Sequence, residues 1–320
     1  MKPVLYMAPM RGVTNCVYRN VYSRLFGGYD FAVTPFIKNC NVLNIDSKVL
    51  RDILVHRNNA DFELIPQILS KSIEDFISLS KIMFGMGYKT VNWNLGCPYK
   101  KIRRKSRGAA LLSEPETVVE ILDKVISAIP NHISLKVRLG NEDNNELFNL
   151  LPLLNDFPLK NIIIHPRTAS QMYSGEVDIS AFEKCLSLTK HPVVYNGDID
   201  SFDTFRDLAS RLPGINMWMI GRGGVINPFL PEQIKGLTRD TGKKTMERFV
   251  RFHDELFDTY KKELSGPAHI IAKMTELWSY WSQAFEGGNG VLRSISRAKK
   301  INQYVSMIDK FFYNEPELLI

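Results

Sequence analysis

The sequence predicts a parallel (β/α)8 barrel followed by a small all-helical segment. Eight short apolar runs recur at intervals of about 25 to 35 residues, with stretches of helical periodicity between them. Several runs are apolar at consecutive positions (Ile162-Ile163-Ile164, Val193-Val194), as in strands buried on both faces. Polar, chemically capable residues gather at the C-terminal ends of the runs, where the active sites of such barrels lie. A doubly wound sheet is the alternative, but it does not usually need eight evenly spaced units.

In order, the strand-like runs are Val4-Pro9, Tyr29-Phe36, Phe62-Leu69, Thr90-Gly96, Ile133-Gly140, Asn161-Thr168, Pro192-Asp198 and Asn216-Gly223. Between them, Ile73-Phe76-Ile77-Leu79-Ile82-Met83 and Val118-Val119-Ile121-Leu122-Val125-Ile126 have helical spacing. The second of these opens on Ser113-Glu114-Pro115-Glu116, read as an N-cap with acidic residues and a proline in the first turn. After about Gly236 the strand pattern stops. Thr245 to Lys262, Ala268 to Phe285 and Val291 to Phe311 read as three or more helices, broken by Gly266-Pro267 and Gly287-Gly288-Asn289-Gly290. The expected division is a barrel domain over residues 1–240 and a helical domain over 241–320.

Composition narrows the function classes. Of 320 residues 44% are hydrophobic and 23% charged, which is ordinary for a globular chain. No run approaches the ~20 apolar residues of a membrane-spanning helix, and Met1-Lys2-Pro3 leads straight into the first strand rather than a signal peptide. Four cysteines (Cys16, Cys40, Cys97, Cys185) lack CxxC or metal-ligand spacing, and the six histidines are unclustered. That pattern argues for a reducing cytoplasm and against structural zinc or disulfides, and a monomer is expected. The net charge of +7 has a location, since Lys100, Lys101, Arg103, Arg104, Lys105 and Arg107 nearly account for it. A basic excess beside a candidate site points to phosphate or nucleic acid.

That basic loop follows the most informative stretch, VNWNLGCPYKKIRRKSRGAALL, from Val91 to Leu112. The strand ends at Gly96-Cys97-Pro98, where the proline removes a ladder donor. A thiol at a strand end beside so basic a loop suggests acid chemistry next to a polyanion, against the plainer reading of a buried cysteine and a solvated charge run. Other strand ends carry Met7-Ala8-Pro9-Met10, Pro66-Gln67, Lys136-Val137-Arg138, His165-Pro166-Arg167, Asn196-Gly197-Asp198 and Gly221-Arg222-Gly223. The glycines of the last two suit close approach of backbone to a phosphate, which barrels often hold at strands seven and eight.

N-x-G-C-P followed by a basic loop and G-A-A-L-L resembles the signature of the tRNA-dihydrouridine synthases, FMN-dependent enzymes that reduce a uridine of tRNA. The likeness extends motif by motif over nearly the whole chain. It implies that Asn196, Gly197, Asp198, Gly221 and Arg222 bind the FMN phosphate and ribityl chain. Ala8, Pro9 and Met10 would pack on the isoalloxazine, and Gln67 would bond its polar edge. Lys136 would sit by its N1/O2 region, where a cation stabilises the reduced ring, with His165 and Arg167 completing the pocket. Cys97 is then the general acid for C5 and Asn94 lies near the target base, which must be held out of the RNA stack. NADPH would regenerate the flavin, visiting transiently because no G-x-G-x-x-G fold is present. Lys100, Arg103 and Arg104 are expected at RNA phosphates. Lys273 and Tyr280 match positions on the family's tRNA-contacting helix, and Arg293, Arg297, Lys299 and Lys300 extend a basic face. Lys38 sits where the branch acting near position 16 of the D-loop carries a base-reading cation.

Three places depart from the family pattern. Asn15 replaces an Asp, Pro166 replaces a Gly, and the loop from Lys100 to Arg107 is unusually basic and glycine-poor. These bear on substrate identity more than reaction type, and reduction of a ribosomal RNA uridine stays open. So do an FMN barrel acting on a small ene substrate, which leaves the basic loop without a purpose, and a catalytically silent RNA-binding protein, which would be colourless.

Overall fold

The computed structural model describes residues 2–38, 47–237 and 242–320. Its parallel strand segments are β1 (Val4–Met7), β2 (Phe31–Val33), β3 (Ile37–Lys38), β4 (Glu63–Ile65), β5 (Gln67–Leu69), β6 (Thr90–Leu95), β7 (His132–Gly140), β8 (Leu159–Thr168), β9 (Val193–Asn196) and β10 (Met217–Ile220). They pair in the order β3-β5-β6-β7-β8-β9-β10-β1-β2-β4. The order closes on itself, because β4 and β5 are one run interrupted at Pro66, as β2 and β3 are one run interrupted at Thr34-Pro35-Phe36. Eight strands therefore form a closed barrel, as the sequence predicts.

The interruptions have a simple cause: proline has no amide to give the ladder. Val33 pairs with Ile65 and Ile37 with Ile68, so one strand advances four residues while its neighbour advances three. Thr34 covers this bulge. Its amide donates to Ile65 O at 3.0 Å, and its hydroxyl accepts the Gln67 amide at 3.2 Å.

The barrel helices are α1 (Cys16–Leu25), α2 (Ser47–Leu50), α3 (Ile73–Gly85), α4 (Lys100–Arg103), α5 (Pro115–Ile126), α6 (Asn145–Leu154), α7 (Ile179–Leu188), α8 (Phe202–Arg211), α9 (Arg222–Ile226) and α10 (Leu230–Lys235). Side-chain caps start several of them: Asn15 accepts the Tyr18 amide, Ser72 that of Asp75, Asp178 that of Ala181 and Ser201 that of Thr204. Asn15 thus performs the capping an Asp would. Ser113 does not cap α5, contrary to the sequence reading. Pro115 at the first helical position pushes the cap to Glu114, which makes no side-chain cap bond, and the Ser113 hydroxyl donates to Glu146 instead.

Beyond the barrel come α11 (Lys243–Glu263), α12 (Pro267–Trp281), α13 (Gly288–Ile295) and α14 (Ile301–Tyr313), the last expected helical run dividing into two. Their apolar faces share one aromatic cluster with α1, in which Tyr18, Tyr22 and Phe26 meet Phe249, Phe252 and Trp281. Arg248 of α11 lies over both Phe26 and Phe229, 4.9 and 4.7 Å from their centroids, and pairs with Glu232 at 2.7 Å. The helical segment is thereby fastened along α1 and α10. Cys16, Cys97 and Cys185 are free thiols, all buried, and Cys40 lies outside the described residues. Among the described residues no helix is long and apolar enough to cross a membrane.

Candidate active site

All strands being parallel, their C-terminal ends share one rim of the barrel, and the strand-end residues meet there. The turn after β6 presents Cys97, 6% exposed. It is built by an amide relay running sideways through the sheet. Ser134 Oγ accepts from Asn92 Nδ2 (2.8 Å), Asn92 Oδ1 from Gln67 Nε2 (2.7 Å), Gln67 Oε1 from Asn94 Nδ2 (2.8 Å), and Asn94 Oδ1 from the Cys97 amide (2.9 Å). Buried amides are costly unless paired, so this chain fixes the turn rigidly. Gln67 and Asn94, expected at the flavin edge and the target base, are wholly or nearly buried members of the relay.

Gly108 closes the turn from the other side. Its φ of +61° is left-handed, and a Cβ there would stand 2.8 Å from Cys97 Cβ and 2.9 Å from Cys97 O. Burial pushes the Cys97 thiol above its usual range, against the pull of the Tyr99 backbone and of Arg138, Arg11 and Lys136. A neutral thiol surrounded by cations is the result.

Lys136, midway along β7 and level with Asn94 of β6, is enclosed by protein yet keeps some contact with solvent. Burial, then repulsion from Arg138, pushes its ammonium down to about 7. Among the described residues it has neither a hydrogen bond nor an ion pair. His165 is held far below its ordinary value by burial and by Arg138, Lys136, Arg167 and Arg222, so it is neutral. Its Nε2 faces Arg167 Nη1 at 3.3 Å; because guanidinium only donates, the imidazole proton resides on Nδ1.

At strands seven and eight, Asp198 (φ +44°) is an organiser of cations. It accepts from Arg167 Nη1 at 2.9 Å and from Arg222 Nη2 at 2.9 Å. Burial alone would raise its carboxyl, but Arg167 and then Arg222 hold it below the usual range. Arg167 is spent inside the protein, on Asp198 and on Gly175 O at 2.5 Å. Arg222 keeps an exposed face. Asn196 Nδ2 donates to Met219 O at 2.9 Å, and Gly197 is packed so closely against Val177 that a Cβ would stand 2.9 Å away. At Gly221 a Cβ would meet only Ala8 Cβ, at 3.6 Å, so this part of the rim is open beside Ala8. Pro9 and Met10 follow on the same rim, half-buried.

Tyr173, which the sequence reading missed, stands in the loop after β8. Its ring lies under Arg138 and Arg222, 5.3 and 5.0 Å from the centroid, and is 46% exposed. Burial, then Tyr173, Glu276 and Tyr99, raises the Tyr280 hydroxyl, so these aromatics converge on the mouth as well. An aromatic in the polar loop Ser170–Gly175, directly after the basic strand end His165-Pro166-Arg167, was the available signal. The ammonium of Lys38 is lowered first by burial and then by Arg11, Lys101, Lys105 and Arg107, a cationic crowd at one side of the rim. Lys100 and Arg104 are exposed. Arg103 instead bonds Asn141 Oδ1 at 2.5 Å and pairs with Glu142. The Lys273 ammonium donates to Gly12 O at 2.7 Å.

A closed parallel barrel whose strand-end rim combines a thiol, a lysine without an anionic partner among the described residues and a partly exposed arginine has the architecture of a (β/α)8 enzyme. Solved barrels with a similar fold include morphinone reductase in complex with tetrahydroNAD (TM-score 0.53, 10% identity, 76% of this chain and 89% of that one). The old yellow enzyme homologue from Zymomonas mobilis is another (TM-score 0.53, 12% identity, 75% and 91%). The dihydrouridine synthase family model matches residues 6–310. The chain belongs to that family and is an oxidoreductase. Curated relatives include tRNA-dihydrouridine synthase B of Pasteurella multocida, 30% identical over 234 residues (72% of this chain, 68% of the relative). A second is the tRNA-dihydrouridine(16) synthase of Neisseria meningitidis serogroup B, 25% identical over 321 aligned positions (97% and 95%). The resemblance carried by the Cys97 motif is thus borne out at the level of the family.

Proposed function

We propose that this protein is an FMN-dependent tRNA-dihydrouridine synthase, reduced by NADPH and acting on a uridine near position 16 of the D-loop. The observation that carries the flavin is Lys136, a lysine of β7 with no anionic partner among the described residues. The donor set fits FMN around it: Arg222 and the open backbone at Gly221 would take the phosphate, with Asn196, Gly197 and Asp198 lining the ribityl path. Ala8, Pro9 and Met10 would pack on the ring, with Gln67, His165 and Arg167 bounding the pocket. Lys136 would face the N1/O2 edge. When bound and reduced, FMN supplies the hydride that uracil C6 accepts.

The chain's own residues supply the rest. Cys97 Sγ gives its proton to C5, a role that needs the neutral thiol burial maintains. Asn94 holds the turn that aims Cys97 and borders the base. Tyr173, exposed at the mouth, offers an aromatic surface where an extruded base must be seated, backed by the buried Arg138, which donates to Thr168 O. Lys38, Lys100 and Arg104 attract the RNA backbone, which makes affinity steeply salt-dependent, whereas Arg103 is held by Asn141 and Glu142 and serves the loop instead. Tyr280 and Lys273 place the helical domain, residues 241–320, beside the barrel domain of 1–240 on the tRNA side. Acting on tRNA, the protein belongs in the cytoplasm, as a monomer.

The test of the flavin is direct. Purified protein is expected to carry a yellow flavin spectrum that NADPH bleaches. Protein that stays colourless after incubation with FMN would overturn the reading. A second expectation concerns Gly108→Ala. The left-handed φ costs roughly 1–2 kcal/mol, and the new methyl must displace the Cys97 turn. Turnover should fall much further than the melting temperature, as kinetics beside a thermal melt will show.

A further inference from the structure

The turn between β1 and α1 is gripped from outside the barrel. Internally it is closed by Thr14, whose Oγ1 accepts the Met10 amide at 2.8 Å and donates to Ala8 O at 3.0 Å, and by the Val13 and Thr14 amides, both 3.0 Å from Met10 O. At its apex Gly12 has a φ of +86°. Lys273 of α12, 261 positions away, donates its Nζ to Gly12 O at 2.7 Å. The same ammonium pairs with Glu276 Oε2 at 2.5 Å, and the Glu276 carboxylate lies so close to Gly12 that a Cβ there would overlap it. Beside them the Tyr260 ring is centred 5.9 Å from the ammonium, and its hydroxyl donates to Asn15 Oδ1 at 3.1 Å. Three side chains of the helical segment thus hold residues 12–15.

We propose that Lys273 is a positioning residue: with Glu276 it sets the β1–α1 turn, and through it Met10 and Arg11 at the barrel mouth. This deepens the flavin reading and rests on it for the group that Met10 meets. A lysine that serves RNA phosphate keeps its ammonium in solvent with its charge unspent. The Lys273 side chain is only 17% exposed and has a carboxylate and a carbonyl as partners, so its charge is used inside the protein. Arg11, one residue before Gly12, lies over the Phe36 ring at 5.8 Å and bears on Cys97. The helical segment therefore reaches the acid's surroundings through one turn.

Hydrogen exchange of residues 10–15, the flavin spectrum and the salt dependence of tRNA affinity decide the matter in Lys273→Met and Lys273→Arg. Losing one charged hydrogen bond should speed exchange at Val13 and Thr14 about tenfold, with Lys273→Arg restoring most of the protection. The flavin band should shift, while the slope of log affinity against log salt stays as in the wild type. A slope shallower by about one, with exchange and spectrum unchanged, would make Lys273 a phosphate contact and overturn the proposal. If Lys273→Met does not fold, Glu276→Gln decides, since it loosens the same turn without removing a positive charge: faster exchange supports the proposal and unchanged exchange overturns it. Wild-type protein without flavin would sink the FMN reading alone, because exchange and salt slope still judge Lys273.

Discussion

Cys97→Ala is expected to retain flavin and to bind tRNA while forming dihydrouridine about 10²- to 10⁴-fold more slowly, the usual worth of a positioned acid. Binding should survive because the Cys97 side chain packs against Leu69 and Ile102, where a methyl group fits. The pH profile carries the same information. A thiol raised by burial is the active, protonated form at every pH below its raised value, and the form is lost as pH climbs through it. The part of the wild-type rate that depends on Cys97 should therefore be level across neutral pH and fall only above the ordinary thiol range, so that a step near pH 7 belongs to Lys136. Single-turnover assays from pH 6 to 10, run on both proteins, separate this from a change in RNA binding.

Lys136→Met should act on the flavin instead. A charged hydrogen bond is worth about 1.5–3 kcal/mol, and the one proposed from Lys136 to the flavin would strengthen as the ring becomes anionic. At about 1.4 kcal/mol per 30 mV for a two-electron couple, the midpoint potential should drop by roughly 30–65 mV. The ammonium titrates at about 7, so above that pH Lys136 must take up a proton as negative charge appears beside it. The wild-type potential should thus fall more steeply with pH above 7 than that of the variant. Potentiometric titration at pH 6.5 and 8.5 tests both statements. Equal potentials would remove Lys136 from the flavin's edge.

Much of this was legible in the sequence for a definite reason. Strands buried on both faces leave unbroken apolar runs, so the eight barrel strands and their chemically active ends stand out along the chain. The family motif around Cys97 is local and survives reading residue by residue. What could not be read is partnership. Gln67 and Asn94 were visible as polar strand-end residues, but not that they are links of one relay reaching from Ser134 to the Cys97 amide. Arg103 reads as a loop cation, and only the fold brings Asn141 and Glu142 to it. Asp198 reads as a phosphate-motif acid, and only the closed barrel makes it the anchor of Arg167 and Arg222. Tyr173 gains its place from Arg138 on β7 and Arg222 at the start of α9. Residue type and spacing carry strands and helices, whereas charges are paired across the barrel by closure.

The central claim is that this chain passes electrons from its flavin to a uridine of tRNA. Protein reduced by NADPH, freed of excess reductant without oxygen and mixed with unmodified tRNA, tests it most directly. The expected result is return of the oxidised flavin spectrum together with one uridine gaining two hydrogens. Flavin that stays reduced with tRNA, but is reoxidised by ribosomal RNA or by a small enone, would contradict it.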